Sequence, residues 1–330
     1  TDVIKLWFHR MGVKYPHNSD WKPEYRSMVE VAKTDYVREV FDRSFSTYVL
    51  LAHSYHWGPW TAFQDGITER DARGIADRFE DLTRYLLETY DGTGKTFVLQ
   101  HWEGDNLAQE QSRQPFPAER ADRFVRWLRA RQTGVERARD VVDSDVTVLH
   151  AAEVNFVLDA KAEGTPRVIN EVVPRADVDL VSYSAWEMGD QLAGLRWAPG
   201  HNGEVQFDEA ERVVTETLDY IDSQAPAPND YVAGSLTDRQ SNVYLGEFVS
   251  PLQRAGVETA MKITRPVLEH SLDWGVRWAL YWELYCNEKA VDGAVEENDD
   301  VQGYYLIRPD GTPSASLDYL TNVLDRDETC

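Results

Sequence analysis

Five stretches of the sequence run from apolar residues into acidic and aromatic ones. Residues 96–106 end in His101, Trp102, Glu103, Asp105 and Asn106. Residues 149–155 place Glu153 and Asn155 together, and residues 181–187 present Tyr183 and Trp186. Residues 243–248 carry Glu247, and residues 280–285 carry Trp282 and Glu283. A carboxylate at the end of an apolar run is costly to desolvate unless it is paired or used. Aromatic faces stack on the CH faces of pyranose rings, and carboxyl groups supply acid, base or nucleophile at a sugar. The combination suits a saccharide site. His53, His56 and Trp57 form a further polar and aromatic group suited to sugar hydroxyls. Two histidines three residues apart, without an HExxH motif or a cysteine partner, do not make a metal site, and none is expected. Residues 91–95 (Asp-Gly-Thr-Gly-Lys) lack the full phosphate-loop pattern and precede a strand instead of following one, so they read as a turn.

What must position these residues is a set of short, near-continuous apolar runs at 3–8, 48–53, 96–102, 146–152, 178–183, 243–248 and 277–285. Runs of this kind are strands covered on both faces. Between them lie helical periodicities such as Ala76, Phe79, Leu82 and Leu86, or Ala210, Val213, Val214, Leu218 and Ile221. Strand–helix alternation over 330 residues predicts one α/β domain over 1–330, a (β/α)8 barrel with its functional residues at the C-terminal strand ends. Seven runs are strong. An eighth strand either precedes residue 1 or hides in 167–173. The apolar run at the very start favours the first option, which makes the seven runs strands two to eight. Residues 303–311 read as a strand-like piece with a Pro-Asp-Gly turn, and 316–324 as a closing helix.

Gly246-Glu247-Phe248, Tyr281-Trp282-Glu283 and Arg308-Pro309-Asp310-Gly311, in this strand order, resemble the large clan of retaining glycoside hydrolases built on a (β/α)8 barrel. The resemblance implies an acid/base Glu at the end of strand four and a nucleophile Glu at the end of strand seven, here Glu103 and Glu247. It implies double displacement on a β-linked glycan or glycoside, with the two carboxyls about 5–5.5 Å apart and no cofactor. Tyr183 resembles the clan tyrosine that donates to the nucleophile, and Trp282 the tryptophan under the sugar. The remaining strand-end residues are expected to contact substrate. One departure is Trp102, which stands where the clan has Asn before the acid/base. If the run 3–8 is strand one, Glu153 takes the acid/base place instead. The departure also leaves a carbohydrate-binding barrel without hydrolysis, or a scaffold whose tryptophans are core, as alternatives.

Composition bounds the partners. Asp and Glu number 57 against 34 Lys and Arg, a net charge of −23. Such a chain repels phosphate backbones and anionic headgroups, which argues against nucleic acid and against a polybasic membrane contact. No apolar run reaches the roughly 18 residues of a spanning helix. Cys286 and Cys330 make no disulfide framework. No leader peptide is legible at the start; secretion would suit a glycan-degrading enzyme, and compartment and oligomeric state stay open.

Overall fold

The computed structural model describes residues 2–9, 11–15, 21, 25–53, 66–109, 114–115, 117–194, 205–233, 241–250, 255–286, 288–292 and 294–327. Seven strands appear among them: β1 (Val3–Trp7), β2 (Thr47–Leu51), β3 (Thr96–Gln100), β4 (Thr147–Val154), β5 (Leu180–Ser184), β6 (Val243–Phe248) and β7 (Ala279–Tyr281). All neighbours are parallel and follow sequence order. The ends of the sheet, β1 and β7, lie against each other, and the rings of Trp7 and Trp282 meet edge to face at 6.1 Å. The sheet therefore curls into a near-closed barrel of the TIM type.

Helices wrap the outside. The first three are α1 (Met11–Lys14), α2 (Met28–Ala32) and α3 (Asp35–Phe41). Next come α4 (Glu69–Thr89), α5 (Gly104–Gln109), α6 (Ala118–Arg139), α7 (Val157–Glu163), α8 (Val168–Glu171) and α9 (Trp186–Leu192). The last are α10 (Ala210–Gln224), α11 (Asp230–Ala233), α12 (Val257–Trp274) and α13 (Ala315–Asp327). α4 begins in a capping box, with Thr68 Oγ1 accepting from Asp71 N and Asp71 accepting from Thr68 N.

The continuous apolar runs follow from burial on two faces. Val49, Val98, Leu149, Ala151, Leu180, Tyr244 and Leu280 fill the barrel interior. Their alternates, among them Tyr48, Leu50, Phe97, Leu99, Val148, Val181 and Leu245, pack outward against the helices. Two readings give way: the less favoured place for an eighth strand, and the strand-like piece at 303–311. Residues 167–173 hold no strand: α8 and a 3₁₀ turn (Val173–Arg175) occupy them, because Asn170 Oδ1 caps Arg167 N at 2.7 Å and Asp105 Oδ1 caps Val168 N at 2.9 Å. Residues 303–311 form only isolated bridges, Ile307 with Tyr285 and with Pro313. There the chain turns at Gly303 (φ 88°) and again at Gly311 (φ 83°), whose N–H donates to Arg308 O at 2.8 Å. The turn at 91–95 is as read, with Gly92 N and Gly94 N donating to Asp145.

The long helices α4 and α6 touch at Gly134. A Cβ there would lie 2.2 Å from Ala76 O and 2.8 Å from Phe79 Cβ, so the two backbones meet only because the residue is glycine. Gly74, on α4, has open space around it. We expect Gly134→Ala to lower stability by about 1–3 kcal/mol through overpacking. Gly74→Ala should raise it by about 0.5–1 kcal/mol through helix propensity. Urea midpoints of the two variants check both signs.

Candidate active site

At the C-terminal ends of the strands the interior changes from apolar to charged. β1 supplies Lys5, the one charge inside its apolar run. β3 supplies Gln100, β4 Glu153, β5 Ser182, and β6 Tyr244, Gly246 and Glu247. Lys5 Nζ donates to Glu153 Oε1 (3.2 Å), Gly246 O (2.9 Å) and Glu247 Oε1 (2.9 Å). Its three hydrogens are matched by three acceptors, and it lies 5.8 Å from the Trp282 ring centroid. Burial pulls the Lys5 ammonium down, but Glu153 and Glu247 outweigh it and the net shift is upward.

Glu153 is fully buried and accepts four hydrogen bonds. Oε1 takes Lys5 Nζ, Gln100 Nε2 (2.9 Å) and Ser182 Oγ (3.0 Å), and Oε2 takes Glu103 N (2.7 Å). Gln100 is oriented in turn by Tyr244 OH, which donates to its Oε1. The strands approach closely here. A Cβ on Gly246 would lie 1.9 Å from Ser182 Oγ and 2.6 Å from Glu153 Oε1, so only glycine lets β6 pass. Glu153 is thus a brace between strands, with both oxygens engaged.

Glu247 sits where the ladder breaks register, between Tyr183 and Ser184 on one side and between Leu245 and Phe248 on the other. Tyr244 points into the barrel, so strict alternation would send residue 247 outward; the irregularity turns its carboxylate back to Lys5. Its other oxygen accepts from Trp186 Nε1 at 3.1 Å. Burial raises the Glu247 carboxyl, Lys5 counteracts and Glu153 adds to the rise, and the net shift is upward. Glu103 lies just past β3 and is 7% exposed. Asn106 Nδ2 donates to its Oε2, and no ion pair reaches it among the described residues. Burial and the charges of Glu247 and Glu153 drive its carboxyl well above the ordinary range.

The structure therefore brings Glu103, Asn106, Glu153, Trp186, Glu247 and Trp282 to one barrel end, with Lys5 among them. Trp186 also meets Tyr304 edge to face at 5.2 Å, and Trp102 and Glu283 are half-buried at the same end of the strands. Other expectations are corrected. Tyr183 does not donate to Glu247. Leu180 and Ser182 face inward, so Tyr183 faces outward, and its hydroxyl donates to Glu187 Oε1 at 3.1 Å. His101 also faces outward, packed on Phe124 and Trp127 at 5.3 and 5.5 Å. Its Nδ1–H donates to Trp102 O and its Nε2 accepts from Glu153 N. Burial and Arg131 push it down to about 3, so it is neutral. His53 packs on His9 with ring centroids 4.1 Å apart.

Asp105 and Asn155 brace the backbone. Asp105 N donates to Asn155 Oδ1 at 3.0 Å, while the Asp105 carboxylate caps α8. Burial, countered by Val168 N, pushes Asp105 up to about 6. His56 and Trp57 lie outside the described residues. Lys5, Gln100, Ser182 and Tyr244 were not anticipated; the signal for Lys5 was a single cation inside a strand buried on both faces. Among the described residues no cluster of His, Cys, Asp and Glu is arranged to hold a metal ion, and no helix is long and apolar enough to cross a membrane.

No protein-family model and no curated protein sequence matches the chain. Solved structures do. An exo-β-1,4-mannosidase from Opitutaceae bacterium strain TAV5 superposes with TM-score 0.59 at 13% identity, over 99% of this chain and 53% of that one. This chain therefore spans about half the mannosidase's length. A GH5_18 protein from Streptomyces cattleya, solved with Manβ1-4GlcNAc, superposes with TM-score 0.56 at 15% identity, over 98% of this chain and 71% of that one. At these identities the likeness is one of fold, and the fold is the (β/α)8 barrel.

Glu187 yields a pH test. Its Oε1 accepts from Leu158 N (2.9 Å) and from Val157 N, capping α7. Burial raises its carboxyl from 4.5 to about 8. The folded protein thus keeps a proton that the unfolded chain releases, and stability falls as pH rises between those values. Glu187→Gln removes this contribution. The thermal midpoint of the variant, relative to the parent, should climb as pH goes from about 4.5 to about 8; a difference that stays constant across the scan contradicts the assignment.

Proposed function

We propose that the protein is a retaining β-glycoside hydrolase in which Glu247 is the nucleophile and Glu103 the acid/base. The observation that carries this reading is the contrast among three neighbouring carboxyls. Glu153 has both oxygens engaged, Oε1 by three donors and Oε2 by the Glu103 N–H. Glu247 is paired with Lys5 and Trp186, which favours the ionised form that attacks an anomeric carbon. Among the described residues Glu103 has an amide donor only, and it is driven toward the protonated form that a leaving oxygen requires. A Lys5–Glu247 pair alone would be a structural ion pair; a second acid beside it, without a cation of its own and driven further toward its protonated form, is what supports catalysis.

In this mechanism Glu103 protonates the glycosidic oxygen as the bond to the anomeric carbon breaks. Glu247 forms an ester to that carbon from the opposite face. With the Glu247 charge gone, the Glu103 carboxylate takes a proton from water, which displaces the ester and restores the configuration. Asn106 holds Glu103 from the carboxyl-terminal side, in place of the preceding Asn of the clan that Trp102 replaces. Trp282 and Trp186 supply ring surface for the sugar. The two mannose-related structural neighbours make β-mannosides the first substrates to test, ahead of β-glucosides and β-glucans.

The test is hydrolysis of activated aryl β-glycosides with product configuration followed by NMR. We expect the β-anomer first. Glu247→Ala should lose turnover by several orders of magnitude and regain part of it with azide as an α-glycosyl azide. Glu103→Ala should lose about 10²–10⁴-fold on substrates with poor leaving groups and far less on good ones. Full turnover in Glu247→Ala rejects the nucleophile, and sugar binding with no turnover in the parent selects the non-hydrolysing barrel.

A further inference from the structure

Lys5 and Glu153 touch the reacting pair yet, in the mechanism above, exchange no proton and form no bond. Lys5 spans the barrel from β1 to β4 and β6, 3.2 Å from Glu153 and 2.9 Å from Glu247. Glu153 reaches the backbone N–H of Glu103 with one oxygen and Lys5 with the other. One negative and one positive charge thus link the backbone of Glu103 to the carboxylate of Glu247. We infer that Lys5 and Glu153 are opposed positioning residues that set the pH window in which Glu103 is protonated while Glu247 is ionised. This rests on the assignment of Glu103 and Glu247 above.

Every charged group facing the pair bears on the sign. Lys5 meets Glu153 from β4, Glu247 from β6 and the Trp282 ring after β7, and it acts on Glu103 past β3. β5 contributes the uncharged Ser182 hydroxyl. Two further titratable groups are neutral: His101, pushed down to about 3, and Tyr244, pushed well above its ordinary value by burial and by Glu153. Lys5 favours ionisation of both catalytic glutamates, and Glu153 opposes it in both. Removing the cation therefore raises both titrations, and removing the anion lowers both. In Glu153→Gln the effect is reinforced, because Lys5 then has Glu247 as its single carboxylate ion-pair partner among the described residues.

The experiment is the pH profile of kcat/KM, on whichever aryl β-glycoside is turned over, for the parent, Lys5→Met and Glu153→Gln. Far-ultraviolet circular dichroism and a cooperative thermal transition establish that each variant is folded. We expect both limbs of the bell to move alkaline in Lys5→Met and acid in Glu153→Gln, each by about one pH unit or more. Loss of packing alone lowers the height of the bell without moving its limbs in opposite directions. Limbs that stay in place in a folded variant, or move the same way in both, overturn the inference, and either variant decides by itself because each has a prescribed sign. In the unaltered protein labelled with ¹⁵N at lysine Nζ, the Lys5 resonance should keep its ammonium shift throughout the alkaline limb; deprotonation there overturns the inference without any variant. Glu103→Gln and Glu247→Gln separate the two levels. Retained turnover in them rejects the function itself, whereas lost turnover with unmoved limbs in the Lys5 and Glu153 variants rejects only the tuning role.

Discussion

One ammonium group organises the mouth of this barrel. Lys5 is 8% exposed at its side chain and has carboxylates on two sides. Burying an unpaired cation is prohibitive, and burying two or three carboxylates together is equally so. Each is tolerable here because of the other. The ion pairs also span the sheet, since β1, β4 and β6 are not neighbours in strand order and the Lys5 side chain joins them through two carboxylates and one backbone carbonyl. This contact crosses the interior of the barrel and helps to hold β1 in place near β7, where the strand ladder is not closed by hydrogen bonds.

The charge count has a consequence for the proposed reaction. With Glu103 protonated, Glu153 and Glu247 ionised and Lys5 charged, the cluster carries one net negative charge. In the glycosyl-enzyme, Glu247 is an uncharged ester, Glu103 is a carboxylate, and Lys5 and Glu153 are unchanged, so the net charge is again minus one. The negative charge moves from one strand end to another within a low-dielectric region without altering the total. Glu153 matters for this because it keeps Lys5 anchored when Glu247 no longer attracts it. A cation tied to the nucleophile alone would be left poorly paired in the intermediate, raising its energy.

The barrel itself was legible because burial on both faces writes long apolar runs, and all seven runs became strands at nearly the expected places. The carboxylate ends were legible for the same reason: a polar residue stands out where an apolar run stops. What misled was direction. Tyr183 follows Ser182 by one residue, and in a strand one residue is the difference between the barrel interior and the helix layer. His101 errs by the same parity. Glu247 reaches Lys5 only because an irregular register re-aims it, which no periodicity displays. Lys5 was passed over because a single cation in an apolar run looks like noise until its partners, 148 and 242 residues away, are in view.

The choice of lysine is itself informative. Only 8 of the chain's 34 basic residues are lysines, so arginine is the default cation of this sequence. Arginine's planar fork suits one carboxylate gripped by two parallel bonds, as Arg167 grips Asp159. The mouth of the barrel presents a different demand: three acceptors from β4 and β6 that converge on a point, in a space that a glycine on β6 is needed to open. A compact ammonium with three rotatable donors meets that demand, and a guanidinium does not. The ammonium touches Glu153 and Glu247 directly, and it acts more strongly on Glu247 than on Glu103. In the proposed reaction this unequal hold favours an ionised Glu247 beside a protonated Glu103, the difference that a double displacement at a sugar carbon requires.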